Sequence, residues 1–441
     1  MDRDAKNIIM ITSDSVRADY CFTSFDGRST TPRLERFADE GIRFENAISP
    51  GPRTASSVPE IIAGEPLPYV EEVHTDGQRF QLIQRLMSEK TTLPERLSER
   101  GYTTAAISAN PYASQHTGFG DVFEEFYDIG SYRSSRLQNV VPNSTIRTLI
   151  SLARQYVNNM HWFLQWPSIF EDILDVLESL EEPYFLWIFL LDTHNPYIAP
   201  RTDRAESTTL GMYQGVLRGN DIHKRTGADA DTRTSYGREI PSSVEADLKR
   251  AYRDTIRSVD RFTQTLWETV ESDDPVLMFN SDHGEAFHEH HSYGHKSFVY
   301  EENVHVPFVV YNSGRTGQIE APVSLRQIPE MVTEYVDGEG SFTDEKWSAE
   351  PAVARTETGT VAVRGKRWKY IYDDEREVLY DLESDPEERT DLSDTRTEVV
   401  ERLRRRMYTF AERTDTRTGG ASGETITDDL SEQLRSLGYV N

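Results

Sequence analysis

Short unbroken apolar runs alternate along the chain with stretches whose apolar positions recur at helical spacing. NIIMITSD (7–14) is continuously apolar until its polar end, the pattern of a strand covered on both faces in a parallel sheet. TTPRLERFADEG (30–41) carries Thr before Pro at a helix start and Gly at its stop, and IRFENAIS follows as a strand. TLPERLSERG (92–101) repeats that punctuation and leads into the strand YTTAAISAN. Further strands are predicted at 184–192, 275–282 and 306–312, separated by long helices such as 243–270. Alternating strands and helices predict an α/β sandwich with a central, mostly parallel mixed sheet flanked by helices.

The pattern changes near 341–348. Beyond it AVART, TVAVRG, RWKYIYD and EVLYDLE are short strands with turn residues between them, and a helix follows at 396–413. The expected division is a large α/β domain over 1–345 and a small C-terminal subdomain, antiparallel sheet plus helix, over 346–441. Within the first, the Thr-, Gly- and Asp-rich stretch 201–239 reads as a lid or surface insertion.

Composition narrows the class. The 441 residues are 37% hydrophobic and 10% aromatic, enough for a globular core. The net charge of −27, with eight lysines, argues against nucleic acid as a partner. An acidic, Lys-poor chain is also what a high-salt, haloarchaeal cytoplasm favours, because screening removes much of the self-repulsion. One cysteine, Cys21, excludes a disulfide framework. The charged start MDRDAKNIIM lacks a secretory apolar core, and the longest apolar run, YFLWIFLL, is far short of the ~20 residues a membrane helix needs. The expectation is a cytoplasmic, halophilic protein without membrane insertion; oligomeric state is not indicated.

In open α/β sheets, chemistry gathers at the carboxyl ends of strands. Three strands here end near Asp: Asp14, Asp192 and Asp282. SDHGEAFHEHHSYGHKSFVYEE (281–302) holds five of the eleven histidines and begins at such an end. Asp282 and His283 are adjacent there, and a carboxylate and an imidazole at one corner can turn toward one metal ion. Such an Asp also often caps a turn, and that alternative stands beside metal binding for Asp14 too. Glu285, His288, His290 and His291 are weaker candidates, since His-rich loops are often merely solvated. His194, in LLDTHNPYIAP, is a candidate substrate contact at the same edge. In GPRTASSVPEIIAG (51–64), Thr54, Ser56 and Ser57 are nucleophile or helix-cap candidates. A helix is predicted from Pro59, with Ser57 as its cap.

Taken together, NIIMITSDSVRADY, TTPRLERFADEGIRFENAIS, RTASSVPEIIAG, LDTHNPY, the 281–311 stretch and VAVRGKRWKYIYDDEREVLYDLESDPEERTDL resemble the sulfatase family of the alkaline phosphatase superfamily. The closing LRSLGYV resembles the end of such proteins. The resemblance implies the same two-part fold and one divalent metal ion at the strand edge. Its ligands would be Asp14, Asp282, His283 and the nucleophile. Lys296 matches the Lys of the family's Gly-Lys motif, with His295 next to Gly294, and His194 matches its His-x-Pro substrate contact.

Two departures from the family matter. Ser15 stands where many sulfatases carry a second Asp, which leaves Mn, Zn or Mg as plausible as Ca. Counting back ten residues from Gly64, as in the family motif, puts Thr54 at the nucleophile position and Val58 at the motif Arg. No formylglycine is therefore expected, and Arg53 is a candidate replacement for the missing Arg.

Thr nucleophiles occur in phosphodiesterase and phosphoglycerol-transferase branches of the superfamily. The resemblance thus implies a metal-dependent hydrolase of sulfuric or phosphoric esters, with Thr54 as nucleophile and His295, Lys296 and His194 as catalytic partners. Its substrate would be a small anionic ester, sulfated or phosphorylated glycans among the candidates. The alternatives are a phosphoryl or sulfuryl transferase acting on a glycan or lipid precursor, and a non-catalytic metal-binding relative.

Overall fold

Strand β1 (Ile8–Ser13) sends alternate side chains into two different cores, Ile8 and Met10 on one side and Ile9 and Ile11 on the other. That is the consequence of a two-residue repeat in a strand covered on both faces. The computed structural model describes residues 5–68, 75–129, 165–212, 241–357, 359–373 and 376–414. A two-stranded ribbon, β2 (Ser24–Phe25) and β3 (Arg28–Ser29), precedes the remaining strands of the main sheet. Those begin with β4 (Ile42–Ile48), β5 (Thr103–Ser108), β6 (Glu125–Asp128), β7 (Tyr184–Leu190) and β8 (Val276–Ser281). A second ribbon, β9 (Ala286–Phe287) and β10 (Tyr293–Gly294), separates them from β11 (His305–Tyr311), β12 (Gly317–Ile319) and β13 (Val323–Ser324).

The nine-stranded sheet runs β12-β4-β11-β8-β1-β7-β5-β6, with β13 also beside β4. Its pairings are parallel except those of β11, which is antiparallel to both β4 and β8. The expected mostly parallel mixed sheet is therefore present. It sets β1 between β7 and β8, so Asp14, Asp192 and Asp282 emerge along the same edge.

Helices cover both faces. Helix α1 (Pro32–Glu40) begins with Pro at its first turn and buries Leu34, Phe37 and Ala38 at helical spacing. Its N-terminus is capped from outside: the Asp260 carboxylate accepts the Arg33 and Leu34 amides at 3.0 and 2.8 Å. Asp260 belongs to the long helix Ser242–Val270, which packs Val259, Phe262 and Leu266 on that same face. The opposite face carries α2 (Thr54–Ala63) with the helices Asp76–Glu89 and Ile328–Asp337.

After the main sheet come β14 (Ala352–Arg355), β15 (Val361–Arg364), β16 (Trp368–Asp373) and β17 (Arg376–Asp381), an antiparallel sheet in chain order. One face meets Val400, Leu403 and Met407 of the helix Thr397–Thr414. The other packs on Ile48, Val299 and Val304, beside the His-rich segment. Of the stretch 201–239, residues from 213 onward lie outside the described residues, as does LRSLGYV.

Candidate active site

The site is assembled where β1, β8 and α2 end or begin. Asp14 directly follows β1 and Asp282 directly follows β8, and both are fully buried. The loop after Asp14 is tied in place by its neighbours. The Ser15 amide donates to Asp282 Oδ1 at 3.0 Å, the Val16 amide to Ser281 Oγ at 2.7 Å, and the Tyr252 hydroxyl to the Ser15 carbonyl at 2.6 Å. Asn110, just past β5, donates to Asp14 Oδ2 at 3.2 Å. Asn110 belongs to no motif of the sequence; its position in SAN at a strand end is its one local signal.

His283 is buried beside them. Its Nδ1 faces the Gly284 carbonyl at 2.9 Å, so that nitrogen carries the hydrogen and Nε2 presents its lone pair to the site. Nε2 lies 3.3 Å from Asp282 Oδ2 and 3.8 Å from Asp14 Oδ1. Gly284 is required here: a Cβ would sit 2.1 Å from the Glu302 carbonyl oxygen. Burial drives the His283 pKa down to about 4, so the imidazole is neutral and can act as a ligand. Burial and the neighbouring Asp14 push the Asp282 carboxyl well above its usual range, and Asp282 Oδ2 accepts no hydrogen bond.

Among the described residues, Asp14, Asp282 and His283 form the one group whose ligand atoms all lie within 4.8 Å of one another. A neutral imidazole nitrogen, two buried carboxylates and an orphaned oxygen are what a divalent cation requires, and the three residues fit one.

Thr54 completes the cluster, its Oγ1 3.2 Å from His283 Nε2. Here the structure corrects the expected helix start. Helix α2 begins at Thr54, with Arg53 as N-cap residue, and Pro59 lies inside it. Ser57 is therefore not the cap, and Ser56 and Ser57 are first-turn residues whose amides donate to the Arg53 carbonyl at 3.0 and 2.9 Å. The Pro-at-start rule misplaced the boundary because one full turn precedes Pro59. The earlier start sets Thr54 at the positive end of the helix, where backbone amides favour an anion.

The other candidates divide. His295 lies with its ring 4.5 Å from that of His283 and 5.3 Å from that of His194. His194 is buried, its Nδ1 2.6 Å from the Asn195 carbonyl. Lys296 has its pKa pushed down to about 7 by burial and by Arg53. Arg53 in turn lies 3.8 Å from Glu357, which also pairs with Arg79.

Glu285, a weak candidate from sequence, is buried in the site, and burial with Asp14 nearby pushes its pKa well up. Asp192 is not part of the cluster: its carboxylate accepts the Trp166 amide at 3.0 Å, and burial raises its pKa to about 7. His290 pairs with Glu302 at 2.7 Å, and His288 stacks on Tyr293. Cys21 is buried in an apolar cluster with Tyr20 and Tyr252.

A family model described as Sulfatase matches residues 6–337. The chain belongs to the Sulfatase family. As a member it is a hydrolase of the sulfatase superfamily. It is 23% identical over 394 residues to the multifunctional alkaline phosphatase superfamily protein PehA of Trinickia caryophylli, covering 76% of this chain and 74% of that protein. It is 22% identical to the arylsulfatase of Clostridium perfringens, covering 90% of this chain and 93% of the relative. In fold, this sulfatase-family chain matches the phosphonate monoester hydrolase of Agrobacterium radiobacter with a TM-score of 0.63 at 16% identity, over 94% and 96% of the two chains. Among its described residues no helix is long and apolar enough to cross a membrane.

Proposed function

We propose that this protein is a metal-dependent hydrolase of sulfuric or phosphoric esters in which Thr54 is the nucleophile. The observation that carries the reading is the placement of the Thr54 hydroxyl at a helix N-terminus, 3.2 Å from His283 Nε2 and within the buried carboxylate cluster. Bound by Asp14, Asp282, His283 and Thr54, a divalent cation would lower the hydroxyl pKa and offset charge on the ester oxygens.

The protein's own groups supply the rest. The amides of Thr54 and Ala55 at the start of α2, with Arg53 and Lys296, receive the anionic head of the ester. Thr54 Oγ1 bonds to phosphorus or sulfur as the ester oxygen departs, and His295 or Lys296 protonates that oxygen. His194 contacts the head at the far side of His295. Water then attacks the Thr54 ester and releases the Thr54 oxygen for the next turnover. A threonine ester cannot collapse to an aldehyde as a formylglycine diol does, so release needs direct attack at phosphorus or sulfur. That requirement favours phosphoric esters as substrates, and the names of the relatives above include both sulfate and phosphonate chemistry.

The test is an assay in high KCl against nitrophenyl sulfate, phosphate, phosphodiester and phosphonate, after chelation and with single metals restored. Turnover should return with one metal and vanish in Thr54→Ala. Unchanged activity in Thr54→Ala would remove Thr54 as nucleophile. Products carried onto an added acceptor alcohol would mark a transferase, and tight metal binding without turnover a non-catalytic relative.

A further inference from the structure

The mechanism above leaves Glu285, a buried acid inside the site, unused. Glu285 is 1% exposed, and its Oε2 lies 3.1 Å from His295 Nδ1. The turn that delivers it is set by Gly284, whose amide donates to the Asn303 carbonyl at 2.8 Å where no side chain would fit. We propose that Glu285 is the positioning residue of His295, holding the imidazole in the tautomer that exchanges a proton with the substrate through Nε2. The proposal rests on the reading in which His295 serves the leaving oxygen.

Three observations favour this role over the alternatives. A carboxylate against Nδ1 keeps the hydrogen on that nitrogen, which makes Nε2 the ring nitrogen that exchanges a proton. The ring so held lies between His283 and His194, within the site. Glu285 is also not among the three residues whose ligand atoms converge, so it is not needed to hold the cation.

The step balances simply. The Thr54 oxygen enters deprotonated and His295 enters as the imidazolium; as that oxygen bonds to phosphorus or sulfur, the ester bond breaks and its electron pair stays on the leaving oxygen. His295 Nε2 gives that oxygen its proton, while the Nδ1 hydrogen stays on the ring against Glu285. In the second half, water bonds to phosphorus or sulfur, its proton passes to His295 Nε2, and the electron pair of the broken bond returns to the Thr54 oxygen.

The experiment compares an ester of a good leaving group, nitrophenol, with one of an alkyl alcohol, whose oxygen needs the proton. In Glu285→Gln with metal content verified, kcat on the alkyl ester should fall about tenfold further than on the nitrophenyl ester, part of the gain general acid catalysis supplies. Glu285→Asp should recover part of that difference. Adding Glu285→Gln to His295→Ala should cost little more, because the two act as one unit.

Equal losses on both esters, additive losses, or a fall in bound metal that tracks the activity would each overturn the proposal. The ¹⁵N shifts of the His295 ring read the tautomer without any turnover. Hydrogen on Nδ1 in the native protein, lost or exchanging in Glu285→Gln, is the expected result, and an unchanged tautomer overturns it. Retained activity in Thr54→Ala refutes the nucleophile alone and leaves these readouts intact.

Discussion

Two groups of buried charge flank the segment from 282 to 301, and they are built on opposite plans. At the seam between the two sheets, Lys369 is fully buried, yet its Nζ lies 2.9 Å from both Glu301 and Glu388. Arg364 reaches Glu301 at 3.4 Å, and His290 bridges Glu302 to the Glu388 carbonyl while stacking 3.6 Å over Tyr300. Cations and carboxylates there answer one another, and the ammonium of Lys369 is held above its ordinary pKa by the two glutamates despite the burial.

At the strand edge, Asp14, Asp282 and Glu285 are buried together. The nearby guanidinium of Arg17 is engaged by Asp19 and Glu289 and by the Glu285 carbonyl. Among the described residues no lysine or arginine pairs with Asp14, Asp282 or Glu285, whose ring partners are the imidazoles of His283 and His295. Buried charges that close on each other hold a fold together, whereas buried charges left open call for a ligand.

The contrast can be broken by experiment. The largest effect belongs to the open cluster. Asp282→Asn should lower kcat by about a thousandfold or more, as losses at a residue of a catalytic unit do. In metal-free protein the same change should leave the melting temperature unchanged or raise it, because it removes an uncompensated charge. A marked loss of stability would mean that the cluster is structural.

At the seam the order reverses. Lys369→Ala leaves the buried Glu388 without its cation and Glu301 with Arg364 as its remaining close cation, and should cost about 3–5 kcal/mol of unfolding free energy, read by denaturant titration. An effect under about 1 kcal/mol would show that the seam is not closed as described. Metal should act on one cluster only. At a hundredfold excess over Kd, a restored cation adds about 2.7 kcal/mol to native stability, and Asp282→Asn should abolish the gain. A gain that persisted would place the cation elsewhere.

The smallest effect is on pH dependence. Lys296 titrates near 7 because burial and Arg53 disfavour its charged form, so the ammonium is present below that pH and lost above it. Activity that needs the ammonium falls as pH rises through about 7, roughly tenfold per unit beyond it. Lys296→Arg should remove this alkaline fall, since a guanidinium stays charged. A pH–rate profile identical to the native one would exclude Lys296 from the reacting charge state.

Much of this was legible in the chain. The continuous apolar runs IIMITS, YFLWIFL and VLMFNS became the three central strands, because a parallel strand covered on both faces has no polar side to show. The adjacency of Asp282 and His283, and the spacing from Gly64 back to Thr54, pointed to residues that the fold brings within hydrogen-bonding reach. Local rules failed where a distant residue decided the outcome. Pro59 marked the wrong helix start, since α2 gains a full turn that begins at Thr54. Asp192 looked equivalent to Asp14 and Asp282 but is spent on the Trp166 amide, a partner 26 positions away in sequence.

Strand periodicity and motif order, which are local, thus determined the architecture, the family and the short set of candidate chemical groups. Only the tertiary structure decided which of five clustered histidines share the site, why Glu285 joins them while His290 serves the seam, and which buried charges are balanced. Those outcomes depend on burial and on partners supplied by other strands, and neither is written in any local stretch of the chain.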